Sequence, residues 1–250
     1  MHRFLAVCTL ALALPALVQA ATNPVIVATQ RTAAAKSMSL QLAVTTTAAG
    51  QPSTVTGTGL QKGTSIRLSM RICARGLTTR MDAILLREAG AYVMYMRSPV
   101  LQAQLPRGKT WLRIDLSQQA ANIGVDFSSL MDTSQTFGPL EHGLVSTTRT
   151  GGEVVAGTST TRYRAVIDIR RVARAIPAYG RQVAAIERAT GVRLGRTPYD
   201  VWIDGDGRIR RLRFSMPASS GGTTVQTMTF LAFDQPVTIS APPRSKVVSP

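Results

Sequence analysis

Alternating apolar and polar positions dominate the chain after residue 36 and predict a succession of β-strands. Apolar side chains occupy every second position from Ile66 to Ile72, and Arg67, Ser69 and Arg71 stand between them. A period of two residues places these two sets on opposite faces of one strand. Similar alternation, or Thr/Val-rich runs, predict further strands at 37–45, 53–60, 81–87, 91–97, 111–116, 152–156, 161–169, 199–203, 208–216 and 223–233.

Helical patterns are fewer and interrupt this series at two places. Residues 23–36 predict a short helix before the first strand, and residues 170–176 and 178–190 predict two helices separated by Pro177. Gly191 follows the last of these helices in the position of a C-terminal cap. Many strands with a few helices indicate an α+β fold, in which an antiparallel sheet carries its helices on one face.

The N-terminus has the pattern of a secretory signal peptide. Arg3 precedes an apolar run at 4–17, which is too short to span a bilayer. The sequence predicts cleavage after Ala20, and hence export to the periplasm, the cell envelope or the medium. The exported chain is then one domain at 21–240 followed by a flexible tail at 241–250.

Cysteine usage argues against both a lipid anchor and a disulfide. Cys8 ends a short stretch that resembles a lipobox, but almost no apolar segment precedes it and Val7 stands where a small residue is required. Cys8 therefore belongs to the signal peptide, and Cys73 is the only cysteine that remains after cleavage. A single cysteine forms no intramolecular disulfide, so we expect an inert, structural thiol at Cys73.

Net charge is the outlying property of the composition. The chain contains 29 Lys and Arg against 13 Asp and Glu, a formal charge of +16, and loss of Arg3 leaves +15. Such an excess favours an anionic partner. The basic residues are dispersed, aromatic residues make up only 5% of the chain, and no nucleic-acid-binding motif occurs. We therefore expect an anionic lipid or membrane surface as partner, and no nucleic acid.

Two interpretations of the charge stay open at this point. A high arginine content can reflect genome composition and solubility alone. Alternatively, basic side chains on the predicted helices touch lipid headgroups, where each contributes about 1 kcal/mol near an anionic leaflet. The candidates for this headgroup or membrane contact are Arg170, Arg171, Arg174 and Arg181.

Catalytic and metal-binding chemistry has no recognisable motif in this sequence. His142 is the one histidine that follows the signal peptide, and it lies in a stretch at 117–148 that is prone to helix and loop. Asp204 and Asp206 resemble the start of a calcium loop, but Ser215 stands where a bidentate Glu is needed, which indicates a hairpin turn. We therefore expect no enzyme, no cofactor and no metal site.

Several strand and turn segments resemble a known group of exported proteins. They are Leu105 to Trp111 running into Ile114 and Asp115, Gly152 to Gly157, Thr160 to Tyr163, Val166 to Asp168, and Pro198 to Leu212. In this order, over most of the exported chain, they are similar to the LppX/LprG group of actinobacterial envelope lipoproteins. The missing lipobox departs from those lipoproteins and favours a soluble protein over a tethered one.

The resemblance carries implications for fold and function. This group, and the LolA-like carriers that it resembles, imply a strongly curved antiparallel sheet, or half-barrel, with helices covering the concave face. They also imply a cavity that takes acyl chains, in which each buried CH₂ contributes about 0.8 kcal/mol. The group has no catalytic residues to transfer, and its ligand contacts are apolar strand faces rather than motifs.

Candidate ligand contacts therefore come from the alternation itself. An apolar strand face suits a pocket, and flexible Met side chains suit an adaptable one, but the same residues would equally pack a sheet against its helices. Either face of each strand could line the cavity. The candidates are Leu40, Leu42, Ile66, Leu68, Met70, Ile72, Met94, Met96, Ile167, Phe214 and Phe230.

Three functions compatible with this fold follow from the sequence. The first is a monomeric, non-enzymatic envelope protein that carries a lipid, glycolipid or other acylated ligand in an apolar cavity. The second is a sensor of the same fold that detects lipids or lipoproteins and signals to a membrane partner. The third is a structural envelope protein whose core is filled and which binds no ligand.

Overall fold

The structure is a computed structural model that describes residues 23–48, 51–116, 133–218 and 222–249. One curved, unclosed sheet of twelve strands organises these residues. In chain order the strands are β1 (Ser37–Ala48), β2 (Gln51–Lys62), β3 (Ser65–Ala74), β4 (Leu77–Glu88), β5 (Ala91–Arg97), β6 (Trp111–Asp115), β7 (Leu144–Val155), β8 (Thr158–Asp168), β9 (Arg196–Asp204), β10 (Ile209–Pro217), β11 (Thr223–Phe233) and β12 (Val247–Val248).

Strand neighbours follow the chain except at two places. Across the sheet the order is β12, β6, β5, β4, β3, β2, β1, β11, β10, β9, β8, β7. The long β1 brings the last hairpin, β10 and β11, beside the first. β12 pairs in parallel with β6, and the other neighbouring pairs are antiparallel. The α+β fold and its antiparallel meander are as the alternation predicts.

The described helices lie at four places along the chain. They are α1 (Pro24–Ala33), α2 (Pro99–Gln102), α3 (Thr133–Gly143), α4 (Ile169–Ala175) and α5 (Pro177–Thr190). Local signals explain their ends. The Asn23 side chain accepts a hydrogen bond from Val25 N at 3.0 Å and caps α1. Gly191 adopts a left-handed φ of 68° after α5, which is the predicted C-terminal cap.

The main core lies between four of these helices and the half of the sheet formed by β1 and β8 to β11. Val25 of α1, Phe137 of α3 and Val172 of α4 are buried against Val201 of β9 and Phe230 of β11. The rings of Phe137 and Phe230 lie 5.8 Å apart, centroid to centroid. Burial of these side chains is the main force that holds the helices on this face of the sheet.

A second, smaller core lies at the other end of the sheet and on its other face. Val93 and Tyr95 of β5 pack there with Trp111 of β6, and Ile239 and Val247 from the C-terminal segment lie against them. The sequence predicts a flexible tail at 241–250, whereas the structure pairs Val247 with Trp111 in β12 and β6. The short apolar pair at 247–248 gives this segment a surface to bury.

One strand starts much earlier than the sequence predicts. We expect a strand only at 152–156, but β7 begins at Leu144. Most of its side chains are exposed, so neither face shows an apolar period. Residues 133–143 form α3, as the helix-prone stretch allows, and the rest of that stretch at 117–132 lies outside the described residues.

Candidate functional site

Strand register places the predicted apolar residues of β1, β3 and β5 on one face of the sheet. Leu40 pairs with Gly59, which pairs with Leu68 on its other side. Leu68 pairs in turn with Ala83, and Ala83 with Met96. Directly paired residues point to the same side of a sheet. We call this side the apolar face; it is also the face that the helices cover, because Leu40 packs against the main core.

Neighbouring rows extend the apolar face and add residues that sequence reasoning missed. A row here is a set of residues that are paired directly from strand to strand. Leu42, Gly57 and Met70 form one row, and Ile66 belongs to another, which ends at Ile114 on β6. The missed members are Met81 and Leu85 on β4 and Leu112 and Ile114 on β6. Leu85 could have been predicted from the two-residue turn at Ala89 and Gly90. Such a turn fixes which residues of its two strands are paired, and it pairs Leu85 with the candidate Met94.

Two glycines of β2 shape the apolar face. A Cβ atom on Gly59 would lie 2.9 Å from Leu68 Cδ2 and 3.1 Å from Leu40 Cδ1, so the two leucines lean over the glycine. A Cβ atom on Gly57 would lie 2.6 Å from the carbonyl oxygen of Ser69. Missing side chains on one face allow strands to bend toward that face. The glycines therefore help the sheet to curve around its apolar side.

Helix packing divides the predicted ligand contacts into two groups. Ile167 and Phe230 are 0% and 2% exposed in the main core, and Phe214 stacks on Tyr199 with ring centroids 4.5 Å apart. Packing in the main core occupies the apolar surface of Ile167 and Phe230. Phe214 is partly buried beside that core and also lines a depression of about 250 Å³.

The other eight candidates remain partly exposed. Leu40, Leu42 and those on β3 and β5 are each partly buried, and in the described part of the chain none belongs to the buried set of either core. The same holds for the four missed residues on β4 and β6. The apolar face thus continues beyond the helices as partly exposed surface across β1 to β6.

Two tyrosines lie where the helices meet the sheet. Tyr179 of α5 contacts Tyr199 of β9 through a hydrogen bond between the side chains. Burial, with a further contribution from Tyr179, raises the pKa of Tyr199 well above its usual value. Burial also raises the pKa of Tyr179. Both phenols therefore stay neutral at the edge of the apolar surface.

The opposite side of the sheet, which we call the back face, is polar and basic outside the second core. A groove of about 640 Å³ crosses it over β1 to β5 and β11, with Arg71, Arg80 and Arg97 in its lining. Asp82 lies in this groove and accepts hydrogen bonds from Ser69 Oγ at 2.6 Å and Arg97 Nε at 3.0 Å. Burial acts to raise the pKa of Asp82, but these two partners outweigh it and lower the pKa below its usual value.

A second basic depression of about 390 Å³ adjoins the first and shares Thr227 and Thr229 with it. Trp202 donates a hydrogen bond from Nε1 to Glu153 Oε2 at 2.8 Å, and Arg211 donates one to Glu153 Oε1 at 2.8 Å. Both hydrogen bonds lower the pKa of Glu153, and the one from Trp202 has the larger effect. The cluster holds Glu153 as a carboxylate within a surface that is otherwise positive.

The four helix arginines proposed for headgroup contact are exposed. Arg170, Arg171 and Arg174 lie on α4 and Arg181 lies on α5. Asp168 caps α4 by accepting a hydrogen bond from Arg170 N at 2.9 Å, and its side chain lies 3.7 Å from the Arg171 guanidinium. Their contact with a membrane stays a prediction.

The remaining candidates for chemistry have simple surroundings. His142 is exposed at the end of α3, and Cys73 is partly buried with its Sγ 3.3 Å from Thr78 Oγ1. Asp204 and Gly207 close the predicted hairpin turn between β9 and β10. Within the described ranges, no three His, Cys, Asp or Glu side chains group as a metal site would require. None of the described helices has both the length and the apolar character needed to cross a membrane.

Comparison with solved structures finds similar proteins at low sequence identity. LprF from Mycobacterium bovis superposes with a TM-score of 0.54 at 14% identity, over 88% of this chain and 95% of that chain. The lipoprotein LppX from Mycobacterium tuberculosis gives a TM-score of 0.46 at 13% identity, over 88% of this chain and 100% of that chain. A putative outer membrane lipoprotein-sorting protein domain from Vibrio parahaemolyticus gives 0.29 at 9% identity, over 81% and 87%.

Sequence comparison finds no such neighbours. No protein-family model matches the chain, and no curated protein matches it. The assignment of the fold therefore rests on LprF, because the other two superpositions have lower TM-scores. The chain has the curved, unclosed sheet with helices on one face that characterises the LppX/LprG-type lipoproteins, as the resemblance of its strand and turn segments implies.

Proposed function

We propose that this chain is a non-enzymatic envelope protein that binds a lipid or acylated ligand on the exposed part of its apolar face and carries it between membranes. The observation that supports the proposal is the continuation of that face beyond the helices, across β1 to β6. Apolar surface on this scale needs a covering, because contiguous exposed patches are rare in soluble monomers.

The chemistry of the face suits an acyl chain. Leu68, Met70, Met94 and Met96 provide flexible aliphatic and thioether surface without a charged group. Unbranched Met side chains adapt to ligands of different shape. Each CH₂ that leaves water contributes about 0.8 kcal/mol, so an acyl chain alone can supply substantial affinity.

Export is part of the proposal. The signal peptide pattern, with predicted cleavage after Ala20, supports a location in the periplasm, the cell envelope or the medium, and we propose a soluble carrier. The shared fold with LprF agrees with an envelope location. We expect the exported protein to act as a monomer.

Uptake of a fluorescent phospholipid tests the proposal with neighbouring residues of one strand. Met70 points to the apolar face and Arg71 to the back face. Met70→Gln keeps the length of the side chain but adds an amide to the proposed site, so we expect uptake to weaken by about fivefold or more. Arg71→Gln serves as the matched control and should leave uptake unchanged.

Transfer of the same lipid from donor to acceptor vesicles separates a carrier from a simple binder. A carrier accelerates transfer in proportion to protein concentration, and Met70→Gln reduces that acceleration together with uptake. A sensor would take up lipid without accelerating transfer. Absence of uptake by the wild-type protein would contradict lipid binding and favour a structural role.

A further inference from the structure

The back face of the sheet carries an elongated groove whose lining differs from that of the apolar face. The two adjoining depressions contain six arginines against two carboxylates, Asp82 and Glu153. Each carboxylate is already hydrogen-bonded to an arginine, Asp82 to Arg97 and Glu153 to Arg211. The groove is therefore strongly positive after its internal pairs are counted.

Three of these arginines form no ion pair within the described residues. Arg71 on β3 is paired in register with Arg80 on β4, so two like charges face each other directly. Neither forms a hydrogen bond or an ion pair with any described side chain, although Arg80 is near enough to Asp82 to help lower its pKa. Arg213 on β10 forms none either, because its register partner Asp200 is bonded to Arg162 and Arg164. Like charges in direct cross-strand pairs destabilise a sheet, and an anion between them would reverse that effect.

Hydroxyl groups and small side chains separate the two basic ends. From Arg71 the register runs through Thr56, Ala43 and Thr227 to Arg213. Four strand spacings of about 4.8 Å give a span of about 19 Å. The next row adds Thr58, Gln41 and Thr229 to the floor of the groove. The floor thus offers hydrogen-bond donors and acceptors in a row.

We infer that this back-face groove binds an anionic oligosaccharide, with guanidinium groups at Arg71, Arg80 and Arg213 receiving its carboxylate or other acidic groups. Guanidinium forks match planar carboxylates through two parallel hydrogen bonds. The threonine and glutamine side chains between them match sugar hydroxyls. The span suits a chain of a few sugar units that lies across the strands.

Shape and chemistry favour this occupant over a bilayer or an acyl chain. The binding groups line a recess in the sheet, which a flat membrane surface cannot follow. Leu42 and Met70 contribute to the recess, but their side chains belong to the apolar face, and ten of the fourteen lining residues are polar or charged. The site is separate from the proposed lipid site, since the two lie on opposite faces of the sheet.

Isothermal titration with defined probes tests the inference. The probes are tetragalacturonate, a heparin tetrasaccharide, neutral maltotetraose and vesicles that contain phosphatidylglycerol. We expect at least one of the acidic oligosaccharides to bind and maltotetraose not to bind. The variant R71Q/R80Q should weaken that binding roughly tenfold or more, because each charge-assisted hydrogen bond is strong.

A matched control removes the same charge elsewhere. Arg107 and Arg193 are exposed and lie outside both depressions, so R107Q/R193Q should bind like the wild type. Thermal unfolding confirms that both double variants are folded. The inference is overturned if neither acidic oligosaccharide binds, if the two double variants weaken binding equally, or if only the vesicles bind in a manner that depends on Arg71 and Arg80.

Discussion

Leu40 and Leu68 reach over Gly59 from the strands on either side of it, within 3.1 Å and 2.9 Å of the position that a Cβ atom would take. A larger residue at this position would separate the two leucines and interrupt the apolar face between β1 and β3. The glycine therefore connects the part of the face that the helices cover with the part that stays partly exposed. The proposed lipid site depends on this continuity.

Gly57 and Gly59 should respond differently to alanine. A Cβ atom on Gly57 meets the carbonyl oxygen of Ser69 at 2.6 Å, and this backbone atom cannot move without disturbing the pairing of β2 with β3. We expect Gly57→Ala to reduce the free energy of unfolding by about 1–3 kcal/mol, measured by urea denaturation. Gly59→Ala meets only the ends of leucine side chains and should cost less. An equal or larger loss for Gly59→Ala would contradict this account.

Ile167 should matter for stability and not for ligand uptake. It is 0% exposed in the main core beneath the helices. Ile167→Val removes one buried methyl group and should lower the free energy of unfolding by about 0.5–1.5 kcal/mol. Lipid uptake at a temperature where the variant is fully folded should equal that of the wild type. A selective loss of uptake without a loss of stability would move Ile167 back into the binding site.

Asp82 should give the protein a specific sensitivity to acid. Its pKa is lower in the folded protein than the ordinary value of 3.8, so ionised Asp82 stabilises the fold above that value and the stabilisation disappears as pH falls through the folded pKa. We expect Asp82→Asn to flatten the fall of the unfolding midpoint below about pH 4. Part of this decrease in the unfolding midpoint will remain, because other carboxylates are also protonated at low pH. A variant with the wild-type pH profile would show that Asp82 contributes nothing.

The C-terminal segment should protect Trp111. Val247 packs against the second core, and Lys246 O accepts a hydrogen bond from Thr110 N at 2.9 Å. Deletion of residues 244–250 should expose Trp111, shift its fluorescence to longer wavelength and lower the unfolding temperature. The substitution Trp202→Phe, made in both the full-length and the truncated protein, leaves Trp111 as the only source of tryptophan emission. Unchanged emission after the deletion would mean that the segment does not cover this core.

Strand alternation predicts the fold well where one face of a strand is buried. β3 alternates apolar and basic residues, and its position was evident from the sequence. The start of β7 was not, because an edge strand that is exposed on both faces has no period of two. The register of β2 could not be predicted either. Gly57 and Gly59 stand where apolar side chains would have identified the residues on its apolar face.

The candidate site shows the corresponding limit for function. The alternation predicts an apolar strand face equally well for Met70 and for Ile167. In the structure, however, Met70 is partly exposed and Ile167 is buried beneath helices. Only the packing of α3, α4 and α5 distinguishes them, and that packing involves residues far apart in the chain. The basic row of the back face was hidden for the same reason, since Arg71 and Arg213 come from strands that are connected in the sheet only through β2, β1 and β11.

Native mass spectrometry of the exported protein, purified from its own envelope, tests the central claim most directly. Lipid that leaves the complex on activation can be extracted and identified from the same sample. The account predicts a stoichiometric acylated adduct on the wild-type protein and on Arg71→Gln, and a reduced adduct on Met70→Gln. A wild-type protein that carries no lipid and also fails to take up a fluorescent phospholipid would contradict the account.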